Sequence, residues 1–192
     1  MKAGFKKILR DENGLTMIEL MTSIAIIVIL SAIVFGNYNT GNNSQALERA
    51  AQKLQLDLRR TGEMAISGQS GALTKAVGIY FNKTAGNEHK YLIYKDTHGD
   101  YLYIPPPGDE VLETITIERG VKICNLIDDG SSANNLSVAY RPPAPAVYIG
   151  VAAASSTGDD ASIILSLDDN TTCTGKIKTV KINNIGRVDI VE

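Results

Sequence analysis

An apolar run of 21 residues, Leu15–Phe35, constrains this chain more than any other feature. It follows directly on Gly14 and contains a single ionisable residue, Glu19. A helix of that length can cross a membrane, and no glycine or proline interrupts it. Placing a carboxylate in lipid costs roughly 3 kcal/mol on insertion scales. Glu19 therefore requires a functional explanation and a partner that compensates for its charge.

The first fourteen residues form a basic leader, which sets the orientation of the apolar run. The leader contains two acidic residues and four basic ones, namely Lys2, Lys6, Lys7 and Arg10. Positive charge beside an apolar segment keeps that end in the cytoplasm. The chain after Phe35 is therefore expected on the outer side of the cytoplasmic membrane.

The spacing of Gly14, Leu15 and Glu19 matches a known processing motif. The sequence Gly-Leu-Thr-Met-Ile-Glu-Leu from Gly14 to Leu20 resembles the prepilin site of type IV pilins and type II secretion pseudopilins. The resemblance implies that a prepilin peptidase cuts after Gly14 and that Leu15 becomes an N-methylated terminus. The implied partners are other pilin or pseudopilin subunits, the cytoplasmic membrane and an assembly platform.

The same resemblance implies a role for Glu19 in assembly. Cleavage exposes an amine at Leu15, which is cationic at neutral pH. In a bundle of subunits that amine can approach Glu19 of a neighbour. Because removing one partner of a buried charge pair is strongly destabilising, the pair would set the register between subunits.

Two other interpretations of the N-terminal segment stay open. A secretory signal peptide also has a basic start and an apolar core, but it is cut after that core, here near Val34-Phe35-Gly36. An uncut signal anchor would explain the span. Neither alternative explains the spacing between Gly14 and Glu19.

The composition predicts one globular domain after the span. The chain has 192 residues, 44% of them apolar, and a net charge of −2, so a packed core is expected and the part after the basic leader is acidic. No nucleic-acid partner is expected. The densest basic cluster, formed by Lys176, Lys178 and Lys181, is interpreted as a solvated strand face.

The two cysteines, Cys124 and Cys173, both fall in the part expected outside the cytoplasm. Oxidising compartments favour disulfides. A bridge would close about 50 residues and contribute roughly 4 kcal/mol in the chain-entropy model. We expect a disulfide, with two separate thiols as the alternative and no metal site.

The helical part of the chain is expected in two segments. Residues 36–43 are rich in turn formers and predict a kink or loosened segment. Residues 44–68 predict an amphipathic helix capped by Asn43 or Ser44 and stopped by Gly68. Its apolar stripe consists of Leu47, Ala51, Leu54, Leu58 and Ala65.

Residues 76–192 predict an extracytoplasmic β-rich domain. The candidate strands are Val77–Phe81, Tyr91–Lys95, Tyr101–Ile104, Val111–Glu118, Val121–Ile127, Leu136–Tyr140, Val147–Val151, Ser162–Leu167, Lys176–Ile182 and Arg187–Val191. Gly120 separates two of them in the manner of a hairpin turn. A helix followed by strands indicates an α+β fold, with a long N-terminal helix packed on an antiparallel sheet or β-sandwich.

Three fragments of this region resemble the H-type minor pseudopilins (GspH/FimT-like proteins). They are Ala51–Arg60, Thr114–Val121 and the Ile-Gly-Arg-Val sequence from Ile185 to Val188. Their order along the chain also matches. The resemblance implies a minor, initiating or tip-associated subunit.

No catalytic motif, cofactor site or metal site is recognisable in the sequence. The acidic pairs beginning at Asp128, Asp159 and Asp168 lack EF-hand spacing and are interpreted as solvated turns rather than calcium sites. Five tyrosines, namely Tyr80, Tyr91, Tyr94, Tyr101 and Tyr103, are attributed to a half-buried sheet. An enzyme is not expected. The sequence favours a structural pilin or pseudopilin subunit, and the alternative is a membrane-anchored ligand-binding or adhesion module that does not polymerise.

Overall fold

The computed structural model describes residues 16–67, 74–142, 146–151, 158–168 and 172–191, with the backbone alone for 34–42. Its helix is α1 (Met17–Ile66). The ten strands are β1 (Ala76–Asn82), β2 (Lys90–Asp96), β3 (Glu110–Thr116), β4 (Val121–Asp128), β5 (Ser131–Ala133), β6 (Asn135–Arg141), β7 (Ala146–Gly150), β8 (Asp160–Leu167), β9 (Ile177–Asn183) and β10 (Val188–Val191). The chain divides into two compact units, Met1–Gly41 and Asn42–Glu192.

Residues 17–33 of the first unit are helical and expose apolar side chains on all sides of the helix. Large side chains from Met17 to Ile33 are exposed, and Met17 itself is 81% exposed. In the described residues, no helical stretch combines the length and the apolarity of a membrane span. The predicted span Leu15–Phe35 extends at both ends past the side chains that the structure describes.

The second unit contains two five-stranded antiparallel sheets. The first sheet has the order β3-β2-β1-β6-β7, and the second has the order β10-β9-β8-β4-β5. In the longer strands, inward-facing residues line one shared core, as the two-residue period of a strand predicts. In β1 these are Val77, Ile79 and Phe81, and in β8 they are Ala161, Ile163 and Leu165.

Residues 46–65 of α1 complete that core. The predicted apolar stripe is confirmed, because Leu47, Ala51, Leu54, Leu58 and Ala65 are all buried in the same cluster as the strands. The helix is assigned through Asn43 and Ser44, so neither residue is an N-cap. The predicted stop at Gly68 lies outside the described residues. The loosening expected over 36–43, which includes the boundary between the two units, stays a prediction.

Polar contacts hold α1 against both sheets. The hydroxyl of Tyr91 in β2 donates a hydrogen bond to the buried carboxylate of Asp57. The side-chain amide of Gln55 donates to the carbonyl of Val188 in β10 at 2.9 Å. Arg49 forms an ion pair with Glu118, with 2.6 Å between Nη2 and Oε1. The helix therefore lies between the β3 side of one sheet and the β10 side of the other.

The predicted strand Tyr101–Ile104 is wrong. These residues belong to the β2–β3 loop, where Tyr101 has a φ of 63°, which a strand cannot contain. Two buried carboxylates organise the loop. Asp96 accepts hydrogen bonds from the backbone N–H groups of His98, Gly99 and Tyr101, and Asp109 accepts them from those of Thr97 and Ile104.

The turn at Gly120 is also not a hairpin. Its φ of 86° fits the predicted turn, but β3 pairs with β2 and β4 pairs with β8 and β5. The chain changes sheets at this glycine. A short strand that the sequence did not indicate, β5, pairs with the end of β4. The other nine predicted strands are confirmed with small shifts at their ends, and the α+β prediction is confirmed.

We predict that Tyr91→Phe lowers the free energy of unfolding by about 1–3 kcal/mol, because it leaves a buried carboxylate without its donor. Chemical denaturation of the purified full-length protein measures the change. Tyr148→Phe is the matched control, since Tyr148 is only half-buried. Equal stability of the wild type and Tyr91→Phe would contradict the importance of the Asp57 contact.

Candidate functional site

Glu19 lies in the first turn of α1. Its backbone N–H donates to Thr16 Oγ1 at 3.3 Å, so Thr16 caps the helix. The hydroxyls of Thr22 and Ser23 donate to the carbonyl of Glu19 at 3.0 and 2.7 Å. The backbone groups of Glu19 and these hydroxyls therefore find their hydrogen-bond partners within the helix itself. Gly14 and Leu15 lie outside the described residues.

The carboxylate of Glu19 is exposed, and no described cation pairs with it. An acid near a helix N-terminus is favoured by the helix dipole, which explains why the first turn tolerates it in water. In an apolar environment the dipole provides only part of the compensation that a full charge needs. The geometry thus leaves Glu19 available for a cation from another molecule.

The apolar surface on both sides of Glu19 has no partner within the described chain. Among its exposed side chains are Ile18, Leu20, Met21, Ile24, Ile26, Ile27, Val28, Ile29, Leu30 and Ile33. A helix that is apolar all round is typically buried in a membrane or in a bundle. This segment is therefore a surface for lipid or for other helices.

The structure joins Cys124 and Cys173 in the predicted disulfide, with 5.7 Å between their Cα atoms. Cys124 is the extra residue of a β-bulge in β4, because Ile123 pairs with Leu165 and Asn125 with Ile164. A bulge redirects a side chain out of the regular alternation. The bridge fastens the segment before β9 to β4 of the second sheet.

The described residues of the acidic turns do not converge on a metal site. No group of three or more metal-ligating side chains occurs in the described ranges. Asp129 accepts hydrogen bonds from the backbone N–H groups of Asp159 and Asp160, and all three residues are exposed. The expectation of solvated turns is wrong for Asp128, which is 8% exposed and whose Oδ1 has no hydrogen-bond partner.

The electrostatics of Asp128 follow from that position. Burial raises the pKa of the Asp128 carboxyl, and the negative charges of Asp129 and Asp160 raise it further. The group thus favours its protonated form more than a carboxyl in water does. We find no ligand role for it in the geometry.

Four of the five tyrosines lie in a packed layer on the outer face of the first sheet, whereas Tyr91 lies in the core. Tyr103 packs on Tyr80 and Tyr94, with ring centroids 4.6 and 5.2 Å apart. Tyr101 stacks on Tyr148 with centroids 3.9 Å apart. The attribution to a half-buried sheet holds for Tyr80, Tyr91 and Tyr94, whereas Tyr101 and Tyr103 come from the loop that covers the sheet.

The basic cluster before and within β9 contacts α1. Lys178 forms an ion pair with Glu48 at 3.0 Å, and Lys176 donates to Ser44 Oγ at 3.1 Å. The interpretation as a solvated strand face is therefore incomplete: Lys181 is exposed, but the other two lysines attach β9 to the helix.

One comparison with known protein families agrees with the N-terminal interpretation. Residues 9–35 match the prokaryotic N-terminal methylation motif, which confirms the prepilin-like nature of that segment. The fold is similar to the crystal structure of the minor pseudopilin EPSH from the type II secretion system of Vibrio cholerae. The match has a TM-score of 0.45 and 9% sequence identity, and it covers 77% of this chain and 94% of that chain. No curated protein matches the sequence.

We predict that replacing both cysteines by serine lowers the free energy of unfolding by about 2–4 kcal/mol. The reason is that the bridge constrains a long loop of the unfolded chain, because the two cysteines have a sequence separation of 49. Thermal and denaturant unfolding measure the loss. Wild-type protein treated with a reductant should match the variant, and no change in either sample would contradict a stabilising bridge.

We predict that Asp128→Asn stabilises the protein at pH 7. The unfolded carboxyl ionises near its ordinary pKa of about 3.9, whereas the folded one has a raised pKa. Stability is therefore lost as the pH rises from the ordinary pKa of the unfolded carboxyl towards the raised pKa of the folded one. The gain should vanish below about pH 4. Asp168→Asn removes an equal charge from an exposed side chain and should show no such gain. A stability difference that does not depend on pH would contradict the assignment.

Proposed function

We propose that this chain is a structural subunit of a type IV pilus or of a type II secretion pseudopilus. It is inserted in the cytoplasmic membrane, cut after Gly14, methylated on Leu15 and assembled through its N-terminal helix. One observation carries the proposal: the matched methylation motif coincides with a helical segment whose apolar side chains are exposed all round.

The free energy gained by burying apolar side chains supports a helix that lies in a membrane or against other helices. Complete burial of one aliphatic side chain of this kind contributes roughly 1.5–3 kcal/mol. Residues 17–33 contain many of them, so this segment is stable only in lipid or against other helices. Both environments occur in the life of such a subunit, first in the membrane and then in a filament.

Glu19 provides the specificity that apolar contacts lack. Once the leader is removed, the new amine of Leu15 lies four residues from Glu19 along the chain, and the same amine exists on every subunit. Pairing of Glu19 with the Leu15 amine of a neighbour neutralises both charges in the apolar bundle. A shift in register would separate the pair and leave two unpaired charges.

The finer proposal is a minor subunit of a secretion pseudopilus, with the domain after the helix on the outer side of the membrane. Its support is the ordered sequence resemblance to the H-type proteins. The fragment from Ile185 to Val188 forms the end of the β9–β10 turn and the start of β10, where Val188 contacts α1. The bridge between Cys124 and Cys173 suits an oxidising compartment.

Mass spectrometry of the purified N-terminus tests the proposal. We expect a chain that begins at methylated Leu15 when the protein is made together with a prepilin peptidase. An intact Met1, or a start near Gly36, would contradict it and would support a membrane anchor or a secreted domain instead.

We predict that Glu19→Ala is inserted and cut normally but is absent from filaments, because the neighbour's amine loses its counter-charge. The measurement is the amount of variant in sheared filaments relative to the membrane fraction. Thr16→Ala is the matched control, since it removes the helix cap at Glu19 but keeps the carboxylate. Normal incorporation of Glu19→Ala would exclude the charge pair, and loss of both variants would indicate a helix-capping effect instead.

A further inference from the structure

The second unit has a groove between the start of its helical part and the residues that lead into β9. The groove has a volume of about 410 Å³, which falls within the range of ligand sites, about 300–1,000 Å³. Among its lining residues are Ser44, Leu47, Glu48, Lys176, Ile177 and Lys178. We call these six residues the lysine groove. None of them belongs to the processing or assembly site described above.

The lysine groove combines apolar and charged surface. Leu47 is buried and Ile177 is half-buried, and both contribute aliphatic side chains to the lining. Lys176 and Lys178 contribute two positive charges, and Glu48 contributes one negative charge. The groove therefore has a positive balance in a part of the chain that is acidic as a whole.

The two lysines differ in how their charges are compensated. Lys178 forms an ion pair with Glu48 at 3.0 Å, and only 17% of its side chain is exposed. The hydrogen bond from Lys178 lowers the pKa of the Glu48 carboxyl, so Glu48 is ionised at neutral pH. Lys176 is exposed and donates to a neutral oxygen, Ser44 Oγ, at 3.1 Å. Among the described residues, Lys176 is therefore the cation of the groove that no carboxylate neutralises.

The lysine groove is close to the apolar run along the chain. Ser44 follows Phe35, the last residue of the predicted span, by nine residues. A fully extended chain covers at most about 3.6 Å per residue, so Ser44 lies within roughly 32 Å of the end of the span. The start of the second unit is thus the part of the domain that the chain holds nearest to the lipid headgroups.

We propose that the lysine groove binds the phosphate group of a membrane phospholipid while the subunit is in the cytoplasmic membrane. The proposal rests on the function proposed above, because it requires the second unit at the outer surface of that membrane. Lys176 donates charge-assisted hydrogen bonds to the phosphate oxygens, which are stronger than bonds between neutral groups. An ammonium group has three N–H donors, and Ser44 accepts only one of them.

The apolar part of the lining favours a phospholipid over a free phosphate ion. Leu47 and Ile177 lose contact with water only if the ligand brings hydrocarbon with it. The glycerol and the first methylene groups of a phospholipid supply that hydrocarbon next to the phosphate. Peripheral attachment to membranes combines the same two contributions, buried apolar area and attraction to anionic lipid.

The contact gives the domain a defined orientation on the membrane. An acidic domain is repelled by the negative surface potential of anionic lipids, whereas a local positive groove is attracted to it. The groove therefore faces the bilayer while the acidic remainder faces away. Because the attraction falls off within a Debye length of about 8 Å at physiological salt, it is lost once the subunit leaves the membrane surface.

Acetylation of lysines in the full-length protein tests the contact. The protein is purified in an uncharged detergent, inserted in vesicles of phosphatidylglycerol and phosphatidylcholine, and treated briefly with acetic anhydride. Mass spectrometry then quantifies each acetylated site. We expect Lys176 to react several-fold more slowly in vesicles than in detergent. Lys181 is the matched internal control, since it is exposed on β9 but does not line the groove, and its rate should stay the same.

Two further arms identify the ligand chemistry. Vesicles of an uncharged, phosphate-free glycolipid should leave Lys176 reactive, because they lack the anion. Inorganic phosphate added to the detergent sample should protect Lys176 several-fold less than the phospholipid vesicles do. Equal protection in glycolipid vesicles would indicate shielding by any membrane, and equal protection by inorganic phosphate would indicate a site for free anions. Either result, or equal rates in phospholipid vesicles and detergent, would overturn the proposal.

A pair of variants provides an independent readout. Native mass spectrometry of protein released from the vesicles counts the retained phosphatidylglycerol. Wild type and Lys181→Gln should retain it, whereas Lys176→Gln should retain several-fold less. Equal retention by all three would overturn the role assigned to Lys176.

The same samples separate failure of this contact from failure of the proposed function. A chain that does not insert in vesicles would overturn both. An inserted chain that is processed to a methylated Leu15 in cells, but whose Lys176 stays reactive in phospholipid vesicles, would overturn only the lipid contact.

Discussion

The exposed apolar surface of α1 from Met17 to Ile33 is the constraint on which the rest of the molecule depends. Water cannot surround such a segment at acceptable cost, so it must lie in lipid or against other helices. The remainder of the chain has to fold without it, and the second unit does so with its own core of helix and two sheets. One helix therefore has two kinds of surface: apolar all round over 17–33, and amphipathic over 46–65.

Much of this organisation can be predicted from the sequence because it depends on local pattern. The spacing of Gly14 and Glu19, the stripe from Leu47 to Ala65 and the alternation within nine strands are all visible without the structure. What could not be predicted depends on contacts between distant residues. The pattern of Tyr101–Ile104 looks like a strand, but Asp96 and Asp109 take up the N–H groups that a strand would offer to a neighbour. Likewise, a turn at Gly120 gives no indication of which sheet receives the next strand.

The residues of the candidate site also fall into two groups, those that the sequence indicates and those that only the structure shows. Glu19 is conspicuous because its charge contradicts its surroundings, and the two cysteines are a small set with one possible pairing. By contrast, the sequence gives no indication that Cys124 occupies a bulge directed at Cys173, or that Asp128 is buried while Asp129 remains in solvent.

The charge pair proposed at Glu19 addresses one part of the assembly problem. Apolar helices attract each other strongly but with little discrimination between registers, because one aliphatic side chain can replace another. A buried charge pair would restrict the helices to the register in which both charges are neutralised. It would not fix the rotation of the folded domains, since residues 36–43 separate the helix start from the core and have a composition that favours bending.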